Sequence, residues 1–147
     1  MIFARRLGRT NVTSLQERKS RFVILISNDD KRASTITKGI DAQLTPLPAG
    51  ARRTITLDRG TEFLDYPAFP MKAWFCDPHS PWQKGGIENA NGRLRRFLPL
   101  DSASGKRSAA ALSALAEKLN ATPRRCLNYR TPNEVFAEAL SMITPSA

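Results

Sequence analysis

The chain has 147 residues with 41% apolar content, enough for one domain with a core. Lys and Arg total 23 against 13 Asp and Glu, a formal charge of +10 that calls for a polyanionic partner, with nucleic acid the first choice over a merely overcharged soluble domain. Cys76 and Cys126 lie far apart with only His79 to help them, which argues against a structural zinc site and leaves two buried free thiols in a reducing cytosol. No apolar run approaches membrane-spanning length, and the basic start MIFARRLGR lacks the long apolar segment and cleavage site of a secretory signal.

In chain order, Val12 to Glu17 alternates, Arg18 to Ser20 is a polar turn, and Phe22 to Ile26 is a continuous apolar run. Together they predict an antiparallel hairpin whose second strand is buried on both faces. Ile36, Ile40 and Leu44 recur at helical spacing, so Ser34 to Leu44 reads as a short helix, ended by TPLPAG. RTITL alternates as a strand up to Asp58, and AWFC, residues 73–76, is a further short strand. Between them, the prolines of LDYPAFPMK make a full helix improbable. Ser80, Pro81 and Gln83 read as a capping box, and the helix that follows starts there or after Gly85-Gly86. Its apolar stripe is Ile87, Ala90, Leu94 and Phe97, while Glu88, Asn91, Gly92 and Arg95 share the neighbouring face. SAAALSALAEKLN is an amphipathic helix with Leu112, Leu115, Ala116 and Leu119 inward, and Thr131, Pro132 and Glu134 cap a last one. Strands followed by capped helices make an α/β pattern, with the first four strands expected in one sheet.

Two carboxylates stand out by position: Asp58 at a strand end and Glu88 on the first turns of a basic helix. By themselves they read as a turn start and as a charge offsetting nearby arginines. Held close together, they would suit Mg²⁺, which takes few hard oxygen ligands and completes its shell with substrate phosphate. Trp74 and Trp82 read as packing residues more readily than as base-stacking platforms, and His79 as a structural residue of a polar loop.

Three stretches shift that balance. LDRGTEF, FCDPHSPWQKGGIENANGRLRRFLP and LNATPRRCLNYRTPNEVF resemble the catalytic core of bacterial DDE transposases of the insertion-sequence-thirty family, and TSLQERKSRFVILI resembles that family's early hairpin. The likeness runs from about Met1 to Phe136. It implies an RNase H-like mixed sheet flanked by helices and a carboxylate triad holding two Mg²⁺ ions. It also implies cleavage and strand transfer of DNA. Carried over, the second and third carboxylates fall on Asp58 and Glu88, as catalytic residues and metal ligands. Lys84, Asn91, Arg93, Arg95 and Arg96 form the expected DNA-contacting set, although each arginine taken singly also fits a solvated basic face.

The resemblance has departures. The family's first aspartate lies on a Gly-Asp-Leu strand that would fall just before Met1, so most of the central strand and one ligand are expected to be absent. Asp29, Asp30 and Glu17 fit a turn and a hairpin end better than a replacement ligand. The expected organisation is a core over 1–100 with a helical extension of the same domain over 101–147. Expected partners are DNA, as element ends and target, and a homo-oligomer or full-length transposase, with no membrane. The expected location is the bacterial cytoplasm, at the nucleoid. The expected function is metal-dependent strand cleavage and transfer by a partial or inactive remnant, with a non-catalytic DNA-binding or regulatory fragment as the alternative.

Overall fold

The structure, a computed structural model, describes residues 11–57, 61–77, 80–97 and 108–143. Strand β1, Asn11–Gln16, pairs antiparallel with β2, Val23–Asn28, in a register that sets Asn11 opposite Asn28 and Gln16 opposite Val23. Glu17 shapes the turn between them. Its carboxylate accepts from the Lys19 N–H at 3.0 Å, and from the Ser20 N–H and hydroxyl at 2.6 Å each. Burial raises the Glu17 carboxyl, but these bonds outweigh it and hold the pKa below the ordinary value of 4.5. Glu17 is thus a turn residue. Asp30 accepts from the Arg32 N–H at 2.9 Å, just ahead of the next helix.

That helix, α1 (Ala33–Leu44), covers one face of the hairpin. Ile36 and Ile40 are buried against Ile26, with Leu15 and Ile24 packed beside them. The approach is close: a Cβ on Gly39 would stand 3.2 Å from Ile26 Cγ2. The other face is covered by α2 (Gly85–Phe97) and α3 (Ala109–Asn120). There Val12, Leu94, Leu112 and Leu119 form a second buried cluster, with Leu25 and Leu115 against it. Strand β2 therefore lies between two layers of helix, which is why its sequence is an unbroken apolar run rather than an alternation.

Strands β3 (Thr54–Leu57) and β4 (Lys72–Phe75) pair in parallel, Thr54 with Lys72 and Leu57 with Phe75. The chain between them makes short 3-10 turns at Thr61–Phe63 and Tyr66–Ala68, as its prolines dictate. The expectation of one four-stranded sheet is corrected: among the described residues β1–β2 and β3–β4 are separate ladders. They are joined by side chains instead, since Leu57 and Phe69 complete the cluster of Ile26, Ile36 and Ile40.

The C-terminal helices lean on the same hairpin. Ser108 Oγ caps α3 by accepting from the Ala111 N–H at 3.2 Å. At its other end buried Asn120 donates to the Val23 carbonyl at 2.8 Å and accepts from the Val23 N–H at 2.9 Å. This clips helix to strand, and no sequence pattern announces it. Helix α4 (Pro132–Ile143) carries the expected capping box: Thr131 N–H donates to the Glu134 carboxylate at 2.7 Å and Glu134 N–H to Thr131 Oγ1 at 3.2 Å. Phe136 stacks on Phe22 with centroids 4.3 Å apart. Among the described residues no helix is long and apolar enough to cross a membrane.

Candidate active site

The site is assembled where the second strand pair hands the chain to α2. The Cys76 N–H donates to the Leu57 carbonyl at 3.0 Å, so the ladder continues to the last residue before Asp58. Asp77 is then clipped to Gln83: its N–H donates to Gln83 Oε1 at 2.8 Å, and Gln83 Nε2 donates to Asp77 Oδ2 at 2.9 Å. Residues Pro81–Lys84 form one 3-10 turn that runs directly into α2 at Gly85. The capping box expected at Ser80 is corrected here. The Ser80 side chain makes no capping bond. Gln83 cannot reach back to Ser80 because its amide is engaged with Asp77.

Helix α2 is held from below. Ala90 and Leu94 are buried, and Asn91 Oδ1 accepts from the Ser14 hydroxyl at 2.6 Å. Asn91, expected at the DNA surface, thus ties the helix to β1. Phe97, expected on the apolar stripe, is exposed, with Lys118 Nζ 4.6 Å from its ring centroid. Glu88 stands exposed in the first turn, and its carboxylate makes no hydrogen bond or ion pair with any described residue. A carboxylate suits that end of a helix, where the N–H groups leave partial positive charge, and Arg95 and Arg96 suit the last turn for the opposite reason. Arg93, Arg95 and Arg96 are all exposed. Of Lys84 the backbone alone is described. Asp58 and His79 lie outside the described residues, and among the described residues no group of three or more His, Cys, Asp or Glu could hold a metal ion.

Two further expectations are corrected. Trp74 and Trp82 are 52% and 76% exposed, not packed. On β4 the inward positions belong to Ala73 and Phe75, which leaves Lys72 and Trp74 outside with the ammonium 4.2 Å from the indole centroid. Of the two thiols, Cys76 is buried, whereas Cys126 is exposed on the connection between α3 and α4.

The fold is that of an integrase catalytic core. The catalytic core domain of BIV integrase superposes with a TM-score of 0.55 at 17% identity, over 90% of this chain and 95% of that one. Sequence relatives narrow the class. The transposase of insertion sequence element IS1086 from Cupriavidus metallidurans is 40% identical over 131 residues, 86% of this chain and 39% of that protein. The transposase InsI of IS30A from Escherichia coli K12 is 31% identical over 137 residues, 90% of this chain and 36% of that protein. The chain is similar to these insertion-sequence transposases of the IS30 type over most of its own length, and it spans less than two fifths of the length of the two relatives just named. No protein-family model matches it.

Proposed function

We propose that this chain carries the core of a transposase that cleaves and joins DNA, with Asp58 and Glu88 as metal ligands and catalytic residues. The observation that carries the reading is Glu88: an exposed carboxylate with no partner among the described residues, on a helix fixed to the hairpin by Leu94 and Asn91. A side chain spent on charge balance would pair with one of the arginines around it. An open carboxylate on a fixed helix is suited to a hard cation, and Asp58, which follows Leu57 in the sequence, is the second ligand that the family resemblance implies. Bound Mg²⁺ would supply charge stabilisation at a phosphodiester under attack. The chain's own part is to hold two carboxylates in place and to present Lys84, Arg95 and Arg96 to the phosphate backbone beside them, with Arg93 offering a further cation on the other side of the helix, while Asn91 positions α2. Residues 1–100 form the core and 101–147 its helical extension. DNA at the nucleoid, and further copies of this chain or a longer transposase, are the partners.

A second reading, DNA binding or regulation without cleavage, draws on the basic end of α2, which needs no metal. Resemblance to the family implies a third carboxylate, and these 147 residues offer only two matching ones. We therefore expect the purified 147-residue chain to bind duplex DNA and to leave plasmid uncut with Mg²⁺ or Mn²⁺. Replacing Arg95 and Arg96 with Ala should reduce the slope of log K against log salt by about 2, close to one for each phosphate no longer neutralised. An unchanged slope removes these arginines from the interface. Metal-dependent nicking abolished by Asp58→Asn or Glu88→Gln would show that two carboxylates suffice.

A further inference from the structure

The side of α2 turned away from Glu88 borders a half-open cavity of about 290 Å³. Its polar rim is Arg21, Arg93, Arg124, Gln16 and Asn89, and its floor includes Val23 and Leu119. Residues 86, 89, 90 and 93 of α2 all line it, a stripe at helical spacing on the side opposite Glu88 and Arg95. No carboxylate lines the cavity, and none of its three arginines has an ion pair among the described residues. Arg124 is fixed in place, with Nη2 donating to the Leu119 carbonyl at 2.9 Å. Arg21 leans over the start of the helix: a Cβ on Gly86 would lie 2.8 Å from Arg21 Nη1 and 2.9 Å from Gln16 Oε1. Glycine at position 86 is what lets the guanidinium lie there.

We propose that this cavity is a phosphate-binding site, separate from the Glu88 surface. Three guanidiniums gathered without an acid repel one another, and an anion between them removes that cost. Guanidinium forks match phosphate oxygens two at a time. The cavity has room for more than a bare phosphate, and its apolar floor suits an attached sugar. The phosphate is either that of a nucleic-acid backbone or that of a small phosphate ester. Only the first source rests on the DNA reading above.

Cys126 also lines the cavity and is exposed, whereas Cys76 is buried, so alkylation of Cys126 by neutral iodoacetamide reports on occupancy. The test follows that rate on the full chain by peptide mass spectrometry, in inorganic phosphate against chloride at equal ionic strength. Saturating phosphate should slow Cys126 alkylation about tenfold by occupying the site. Arg21→Gln and Gly86→Ala should each remove most of this protection. The second variant changes no charge, and alanine favours the helix. Arg53→Gln, an equal loss of charge elsewhere, should leave protection intact. Equal reactivity in phosphate and chloride, or equal loss of protection in Arg53→Gln and Arg21→Gln, would overturn the site. Protection by duplex DNA that Gly86→Ala abolishes assigns the site to nucleic-acid phosphate. Protection by inorganic phosphate while bound duplex leaves Cys126 reactive assigns it to small phosphate esters. If duplex does not bind the chain at all but phosphate still protects, the DNA reading fails and the site stands.

Discussion

Helices α2 and α4 are nearly equal in length and differ in what holds them. Helix α4 has strong local fastenings: the Thr131–Glu134 box closes its first turn, Arg130 pairs with Glu138, and Pro132 is its one buried residue, with the Phe136–Phe22 stack as its tie to the hairpin. Helix α2 begins on two glycines, the pattern least favourable to a helix, and is held by distant residues. Leu94 is buried among Val12, Leu112 and Leu119, and Asn91 is bonded to Ser14, 77 positions away. The helix that carries the candidate carboxylate is thus the one positioned by tertiary structure. This sets Glu88 on one side of its first turns and the arginine cavity on the other.

The contrast can be broken at its strongest point. Leu94→Ala should cost about 2–5 kcal/mol in a urea melt, since it removes a fully buried side chain at the junction of β1, α2 and α3. A loss below about 1 kcal/mol would mean that α2 stands on local interactions after all. The smaller test lies in α4, where Thr131→Ala should cost about 1 kcal/mol, the usual worth of a helix cap. Its companion is pH. Glu134 is held below 4.5 by the N–H and hydroxyl of Thr131, with Arg130 adding to this. A depressed carboxyl stabilises the fold above its ordinary pKa, and that contribution fades as pH falls below 4.5 through the folded value. Melting temperature followed from pH 7 downward should therefore fall less steeply below pH 4.5 in Glu134→Gln than in the parent. Parallel curves would show that the box does not persist in solution.

What the sequence makes legible follows the same division. The hairpin, α1, both short strands and the α4 box are local patterns of period or spacing, and each lies within one or two residues of its expected place. The apolar run of β2 also announces its two-sided burial. Features set by something other than the pattern that drew attention were not legible. Gln83 has the spacing of a capping residue, but Asp77 claims it. Asn120 looks like the polar end of a helix, yet it is buried on Val23, 97 positions earlier. Trp74 looks like core by type, but strand alternation turns it outward. Arg21 and Arg124 lie outside the basic helix that drew attention and reach the α2 cavity only through the fold. The candidate site was legible through resemblance more than through pattern, since spacing alone gives Asp58 and Glu88 no shared role.

The central claim is that Asp58 and Glu88 hold one metal ion between them. Titrating the full chain with Mn²⁺ and counting free ion by electron paramagnetic resonance tests it directly. Asp58→Asn and Glu88→Gln should each weaken the same site about tenfold or more, because each removes one charged oxygen ligand from a hard cation, while the double variant should lose little beyond either single one. Mn²⁺ affinity unchanged in Glu88→Gln would contradict the claim and leave the carboxylate on α2 as a surface charge.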